Sequence, residues 1–205
     1  MRFRSPLYAA EIGVVVCLLA IAVVAAWWGV KPEKPGPPIT LPAIGGSFTL
    51  TAADGREVTD QSFRGKIMLV YFGYTACPDA CPTALNELAG ALADLGPLAE
   101  RVQPLFITVD PARDTRDVLA EYVRAFDPRI LGLTGTPEQI AAAARAYGVS
   151  YAPVKTADTP DGYLVDHTAE VFVMDEEGRF VATFTPETPA AKMAERLGRL
   201  IARTS

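Results

Sequence analysis

Nineteen consecutive uncharged residues, Ile12 to Val30 (IGVVVCLLAIAVVAAWWGV), constrain this chain more than any other feature. As a helix the run spans about 28 Å at about 1.5 Å per residue, close to the hydrocarbon thickness of a bilayer. Trp27 and Trp28 stand at its carboxyl end, where amphipathic rings settle at a membrane interface. Arg2 and Arg4 precede the run, while Lys31, Glu33 and Lys34 follow it, nearly balanced. This bias predicts a cytoplasmic segment over residues 1–11, a single transmembrane helix over 12–30, and everything after it outside. A cleaved signal peptide is the competing reading, with Val24 and Ala26 as small residues for cleavage. The run is long for a signal core, however, and tryptophans fit such a site poorly. Cys17 follows Val14, Val15 and Val16 rather than the small residues that lipid attachment requires, and reads as an apolar membrane residue. Eleven residues ahead of the span are too few for a transit peptide. The expected setting is a bacterial inner membrane with the globular part in the periplasm.

Five prolines between Pro32 and Pro42 make residues 31–45 a stiff, extended linker of about 3 Å per residue. The remaining residues, 46–205, are enough for one ordinary domain. They carry 15 basic and 22 acidic side chains, a net charge of -7. A nucleic-acid binder usually carries a basic face, so that class of partner is excluded. The pattern alternates strands and helices. Ser47–Thr51 and Arg56–Thr59 flank an Asp54-Gly55 turn and predict a hairpin. Lys66–Phe72 is a continuous apolar run, as a strand covered on both faces requires. Helices are predicted over 82–98, 115–126, 137–147 and 189–202, and strands over 102–109, 168–174 and 180–184. This is an α/β order of thioredoxin-like type with added elements.

The chemistry follows the central strand directly, in Gly73-Tyr-Thr-Ala-Cys-Pro-Asp-Ala-Cys-Pro-Thr-Ala-Leu85. Open α/β sheets place ligand sites at the carboxyl ends of their strands. Cys77 and Cys81 stand at i and i+4, one residue further apart than the cysteines of a dithiol oxidoreductase. Two thiolates in one loop can close on a soft metal ion or on each other as a disulfide. Cys81 sits where Pro82 starts a helix, and the amide groups and dipole there favour its thiolate. The bland alternative is a pair of buried, inert cysteines, which a proline-rich loop outside any periodic core pattern does not support. His167 is the sole histidine, so a site needing several imidazoles within one chain is excluded. It is expected to open the strand beside the central one. Two sulfurs and one imidazole form a soft, three-coordinate set that suits Cu(I). Zinc would want a fourth ligand.

Three segments, GYTACPDACPTAL, DPARDT over Asp110–Thr115, and DHTAEVFVMD over Asp166–Asp175, together resemble the Sco/SenC family of copper-binding cytochrome c oxidase assembly proteins. The resemblance covers anchor, linker and domain. It implies copper held by Cys77, Cys81 and His167, as Cu(I), with Cu(II) as the alternative oxidation state. It further implies a periplasmic copper donor and, as recipient, the dinuclear copper centre of cytochrome c oxidase subunit II. Two roles remain open, a membrane-anchored copper chaperone and a thiol-disulfide oxidoreductase that keeps the recipient cysteines reduced.

Three acids are weaker candidates near the metal. Asp110 ends a strand and precedes a proline, so it can share the cysteine rim or simply shape a turn. Asp166 is a candidate acceptor for the imidazole. Asp79, between the cysteines, is a candidate for steering a partner.

Overall fold

The computed structural model describes residues 44–204 except Asp158 and Asp161, together with residues 17–19, 21 and 24. The chain divides into two compact units, Met1–Leu41 and Pro42–Ser205. Among the described residues, no helix is long and apolar enough to cross a membrane. The expected anchor, residues 12–30, and most of the linker fall outside the described residues.

The Pro42–Ser205 unit is organised around β3 (Ile67–Gly73), all seven of whose residues are buried. It pairs in parallel with β4 (Val102–Thr108), which pairs in parallel with β5 (Leu131–Thr134). On its other side β3 pairs antiparallel with β8 (Val171–Met174), and β8 with β9 (Phe180–Phe184). The hairpin of β1 (Thr49–Ala52) and β2 (Glu57–Thr59) joins β5 and completes a seven-stranded sheet ordered β2-β1-β5-β4-β3-β8-β9.

Four helices pack on this sheet: α1 (Ala80–Leu95), α2 (Arg116–Phe126), α3 (Pro137–Tyr147) and α4 (Ala190–Thr204). Neighbouring residues of a strand face opposite ways. Tyr71 meets Phe106, which meets Tyr122 of α2, whereas Phe72 meets Tyr147 of α3. Helices α2 and α3 therefore cover opposite faces of the sheet. Thr115 caps α2 by accepting the Val118 amide, and Thr136 with Gln139 forms a capping box on α3, as sequence patterns of this kind favour. The thioredoxin-like order is present, and the predicted elements fall within a few residues of their expected bounds.

Two features depart from expectation. A short strand, β5, enters the sheet between β1 and β4. A separate two-stranded sheet, β6 (Tyr151–Lys155) with β7 (Tyr163–His167), lies outside the main one. His167 closes β7 and pairs with Tyr151, so it does not open the strand beside β3; that strand, β8, begins at Val171. Most residues of β6 and β7 are exposed or half-buried, so the two strands lack the apolar alternation that would have announced them.

Candidate metal centre

The site is built on the end of β3. The chain leaves the strand at Gly73, turns, and re-enters regular structure at Ala80, the first residue of α1. Gly73 is required by space. A Cβ at that position would lie 2.7 Å from Cys81 Sγ, 2.9 Å from Tyr71 Cε1 and 3.0 Å from Phe106 Cε2. Its missing side chain is the room in which the Cys81 sulfur sits.

The turn folds back on itself through the Cys77 amide, which donates to the Tyr74 carbonyl at 3.3 Å. Thr75 is tied to a buried carboxylate. Its amide donates to Asp114 Oδ2 at 3.0 Å and its hydroxyl to Oδ1 at 2.6 Å, while the Thr108 hydroxyl reaches Oδ2 at 2.6 Å. The next residue, Thr115, is the N-cap of α2. Burial raises the Asp114 carboxyl above its usual range, opposed by these three donors.

Cys77 and Cys81 are both free thiols, the first half-buried and the second buried. The Cys81 amide points at Cys77 Sγ, 3.4 Å away, and Cys81 Sγ lies 3.6 Å from His167 Nε2. The two sulfurs and one ring nitrogen all lie within 4.8 Å of one another. Among the described residues this is the one grouping of three or more histidine, cysteine or acidic side chains close enough to hold an ion. The imidazole is steered from three sides. Its Nδ1 meets the Thr168 carbonyl at 3.0 Å, and the rings of Tyr71 and Tyr74 stand edge-on to it, with centroids 6.1 and 5.8 Å away.

The two sulfurs are electrostatically unequal. Hydrogen bonding from Cys81 pulls the Cys77 thiol down to about 4, with His167 and the amides of Asp79 and Cys81 adding to the effect. The hydrogen bond to Cys77, together with burial, pushes the Cys81 thiol far above its ordinary value. The helix-terminus argument therefore holds for the wrong cysteine: the amide at the start of α1 is Cys81's own, but it is aimed at Cys77. His167 is raised above its ordinary value: burial is the largest single influence and lowers it, but hydrogen bonds to Cys77 and the Thr168 main chain, with the charges of Cys77 and Asp166, together outweigh it. Tyr71, buried beside both sulfurs, is held neutral by a strongly raised phenol.

An open concavity of about 510 Å³ lies over the cluster, lined by Tyr74, Cys77, Pro78, Val154, Leu164 and His167 among others. Asp79 and Asp166 are exposed on its rim. Asp166 lies near enough to favour the imidazolium by charge, but the ring's Nδ1 partner is the Thr168 main chain. Asp110 is buried and outside the three-ligand cluster, bound to Arg113 and Tyr163. Sequence reasoning missed Gly73, Tyr71, Arg113 and Tyr163 as parts of this region. Only Gly73 carried a signal, as a glycine ending an otherwise bulky buried strand.

Fold and cluster together define a thioredoxin-like domain with a two-sulfur, one-nitrogen site at the carboxyl end of its central strand. Residues 37–202 match SCO1/SenC, and the chain belongs to that family. Protein sco1 of Schizosaccharomyces pombe is 40% identical over 162 residues, which cover 78% of this chain and 62% of that one. This chain thus spans less than two thirds of that relative. The structure of Bradyrhizobium japonicum ScoI with copper bound is 44% identical, with a TM-score of 0.71, covering 77% of this chain and 99% of that one. Yeast Sco1 with copper bound is 37% identical, with a TM-score of 0.72, covering 78% and 90% respectively.

Proposed function

We propose that this protein is a copper chaperone that holds one Cu(I) between Cys77, Cys81 and His167 and delivers it to cytochrome c oxidase during assembly of the dinuclear copper centre of subunit II. The observation that carries the reading is the convergence of two sulfurs and one imidazole nitrogen within 4.8 Å beneath an open concavity. Thiolate and imidazole together are a soft donor set that favours Cu(I). Among the described residues no acidic side chain belongs to the cluster, which counts against a harder ion. The copper-bound relatives support the same cargo.

Transfer would proceed by ligand exchange. Cys77 enters as the thiolate, and loading Cu(I) displaces the proton that Cys81 otherwise keeps. Three ligands leave one side of the ion toward the concavity. A recipient thiolate enters there, and the protein ligands are released in turn without free copper. We extend the proposal to the organisation read from the sequence: residues 1–11 cytoplasmic, a single-pass anchor over 12–30 in a bacterial inner membrane, a linker over 31–45, and the copper domain over 46–205 in the periplasm, loaded by a periplasmic donor.

A second reading has its own support in the unequal cysteines. A half-buried thiolate beside a buried thiol is the arrangement of an attacking and a resolving cysteine. Cys77 would attack a target disulfide, forming a mixed disulfide. Cys81 would then lose its proton and displace the target's second sulfur, leaving the target reduced and Cys77–Cys81 oxidised. The test is competition for Cu(I) between the reduced, anaerobic Pro42–Ser205 unit and a coloured chelator, with His167→Ala alongside. One tightly held copper, weakened by loss of the imidazole, is the expected result. No competitive binding, paired with reduction of a subunit II peptide disulfide, would replace the chaperone with the reductase.

A further inference from the structure

The cysteines follow a strand of the main sheet while the histidine ends a separate hairpin, and something must hold the two in register. The β6–β7 hairpin that ends in His167 is two-stranded, and such a hairpin is marginal on its own. Its base is tied at Ser150 and Thr168, whose main chains and the Thr168 hydroxyl bond one another. At the other end of β7 the fastening comes from the loop between β4 and α2. Arg113 Nη1 donates to the Tyr163 carbonyl at 3.2 Å, and its guanidinium stacks on the Tyr163 ring with Cζ 3.8 Å from the centroid. The Tyr163 hydroxyl donates back to the Asp110 carboxylate, 3.1 Å from Oδ1, and Arg113 Nε holds the same carboxylate at 2.5 Å. Arg113 also lies 5.7 Å from the ring centroid of Tyr74, which stands edge-on to His167.

The same loop grips the cysteine turn. Its Asp114 takes both polar hydrogens of Thr75, two residues before Cys77. The two grips are joined inside the loop. The Arg113 and Asp114 amides donate to the Asp110 carbonyl, and Thr108 links the Asp110 amide to the Asp114 carboxylate. A continuous polar chain therefore runs from Thr75 through Asp114, Thr108, Asp110 and Arg113 to Tyr163.

We propose that the Asp110–Asp114 loop is a brace that sets the distance between the sulfur pair and the imidazole, with Arg113 as the positioning residue for His167. Arg113 is not one of the three ligand side chains. It acts by fixing the hairpin and the Tyr74 ring that orient the imidazole.

Only the affinity arm of the test rests on the copper reading. The full chain, in detergent micelles and labelled at histidine with ¹³C and ¹⁵N, gives one imidazole to follow, because His167 is the sole histidine. In metal-free protein, Arg113→Met is expected to move the His167 signals toward those of free histidine and broaden them, while amide signals of β3 and β4 stay in place. Unchanged His167 signals in folded Arg113→Met would overturn the brace. In the affinity arm, Arg113→Met is expected to weaken Cu(I) about ten- to a hundredfold, as loss of a ligand-orienting partner does. The double variant Arg113→Met/His167→Ala is expected to bind no more weakly than His167→Ala alone. Additive losses would show that Arg113 acts elsewhere and would also overturn the brace. Should Arg113→Met fail to fold, Arg113→Lys and Tyr163→Phe carry the same two arms with smaller displacements. If His167→Ala binds copper as tightly as the parent, the copper reading fails, and the metal-free spectrum alone decides on the brace.

Discussion

The two halves of the metal site are made in opposite ways. The cysteine half grows out of the most buried strand of the domain, with Gly73 packed against Cys81, Tyr71 and Phe106 and with Thr75 bound to a buried carboxylate. The histidine half rides on a two-stranded hairpin in whose strands only Val165 is buried. One half is over-determined by the core, and the other is held by a few polar fastenings. On the chaperone reading proposed above, such a division would suit binding a metal tightly and then releasing it. The sulfurs would supply a fixed seat, and the imidazole would withdraw with its hairpin at a cost much smaller than that of unfolding the core.

The largest effect should come from the seat itself. Serine at Cys77 or Cys81 is expected to abolish tight Cu(I) binding in chelator competition, because one soft ligand and an imidazole cannot replace two thiolates. Full affinity in both single variants would remove the cysteine half from the site. Next is Gly73→Ala, which forces a methyl group into the Cys81 sulfur. Overpacking of this kind costs about 1–3 kcal/mol, readable as a lower urea midpoint with an unchanged slope. A variant as stable as the parent, with unaltered copper affinity, would mean that the seat is softer than its packing implies.

The contrast between halves is sharpened by hydrogen exchange. Amides of β6 and β7 in the metal-free protein are expected to exchange well before those of β3 and β4, and copper loading should slow the hairpin selectively. Equal protection of hairpin and central strands would break the comparison. The smallest effect is one of pH. With the Cys77 thiol pulled down to about 4 by hydrogen bonding from Cys81, its alkylation by iodoacetamide should hold a plateau through neutral pH and fall only in acid. An inflection near the ordinary thiol value of about 8.5 would show that Cys77 lacks this support.

How much of this was legible in the sequence depended on burial. The run Lys66–Phe72, a strand at Ile67–Gly73 in the structure, announced itself because a strand covered on both faces must be apolar. The cysteine turn was legible from its place after that strand. The hairpin was not, because Ala152–Lys155 face solvent and Pro153 interrupts any strand signal. The sequence accordingly places His167 on the wrong strand, while the fold brings its ring nitrogen within 4.8 Å of both sulfurs. β5 was missed because Leu-Gly-Leu-Thr is too short to show a period. The support that the sequence places at the Cys81 thiolate falls on Cys77 instead, for a geometric reason. The sequence places Cys81 at a helix start, but only the fold shows its amide directed at the neighbouring sulfur. The role of DPARDT was equally out of reach, since it depends on contacts to Thr75 and Tyr163, far away along the chain.

The most direct test of the central claim is X-ray absorption at the copper K edge on the reduced protein loaded with one Cu(I). The account predicts two sulfur neighbours and one nitrogen with the outer-shell scattering of an imidazole, and loss of that nitrogen signature in His167→Ala. A copper bound by sulfur alone, or a spectrum that His167→Ala leaves unchanged, would contradict it.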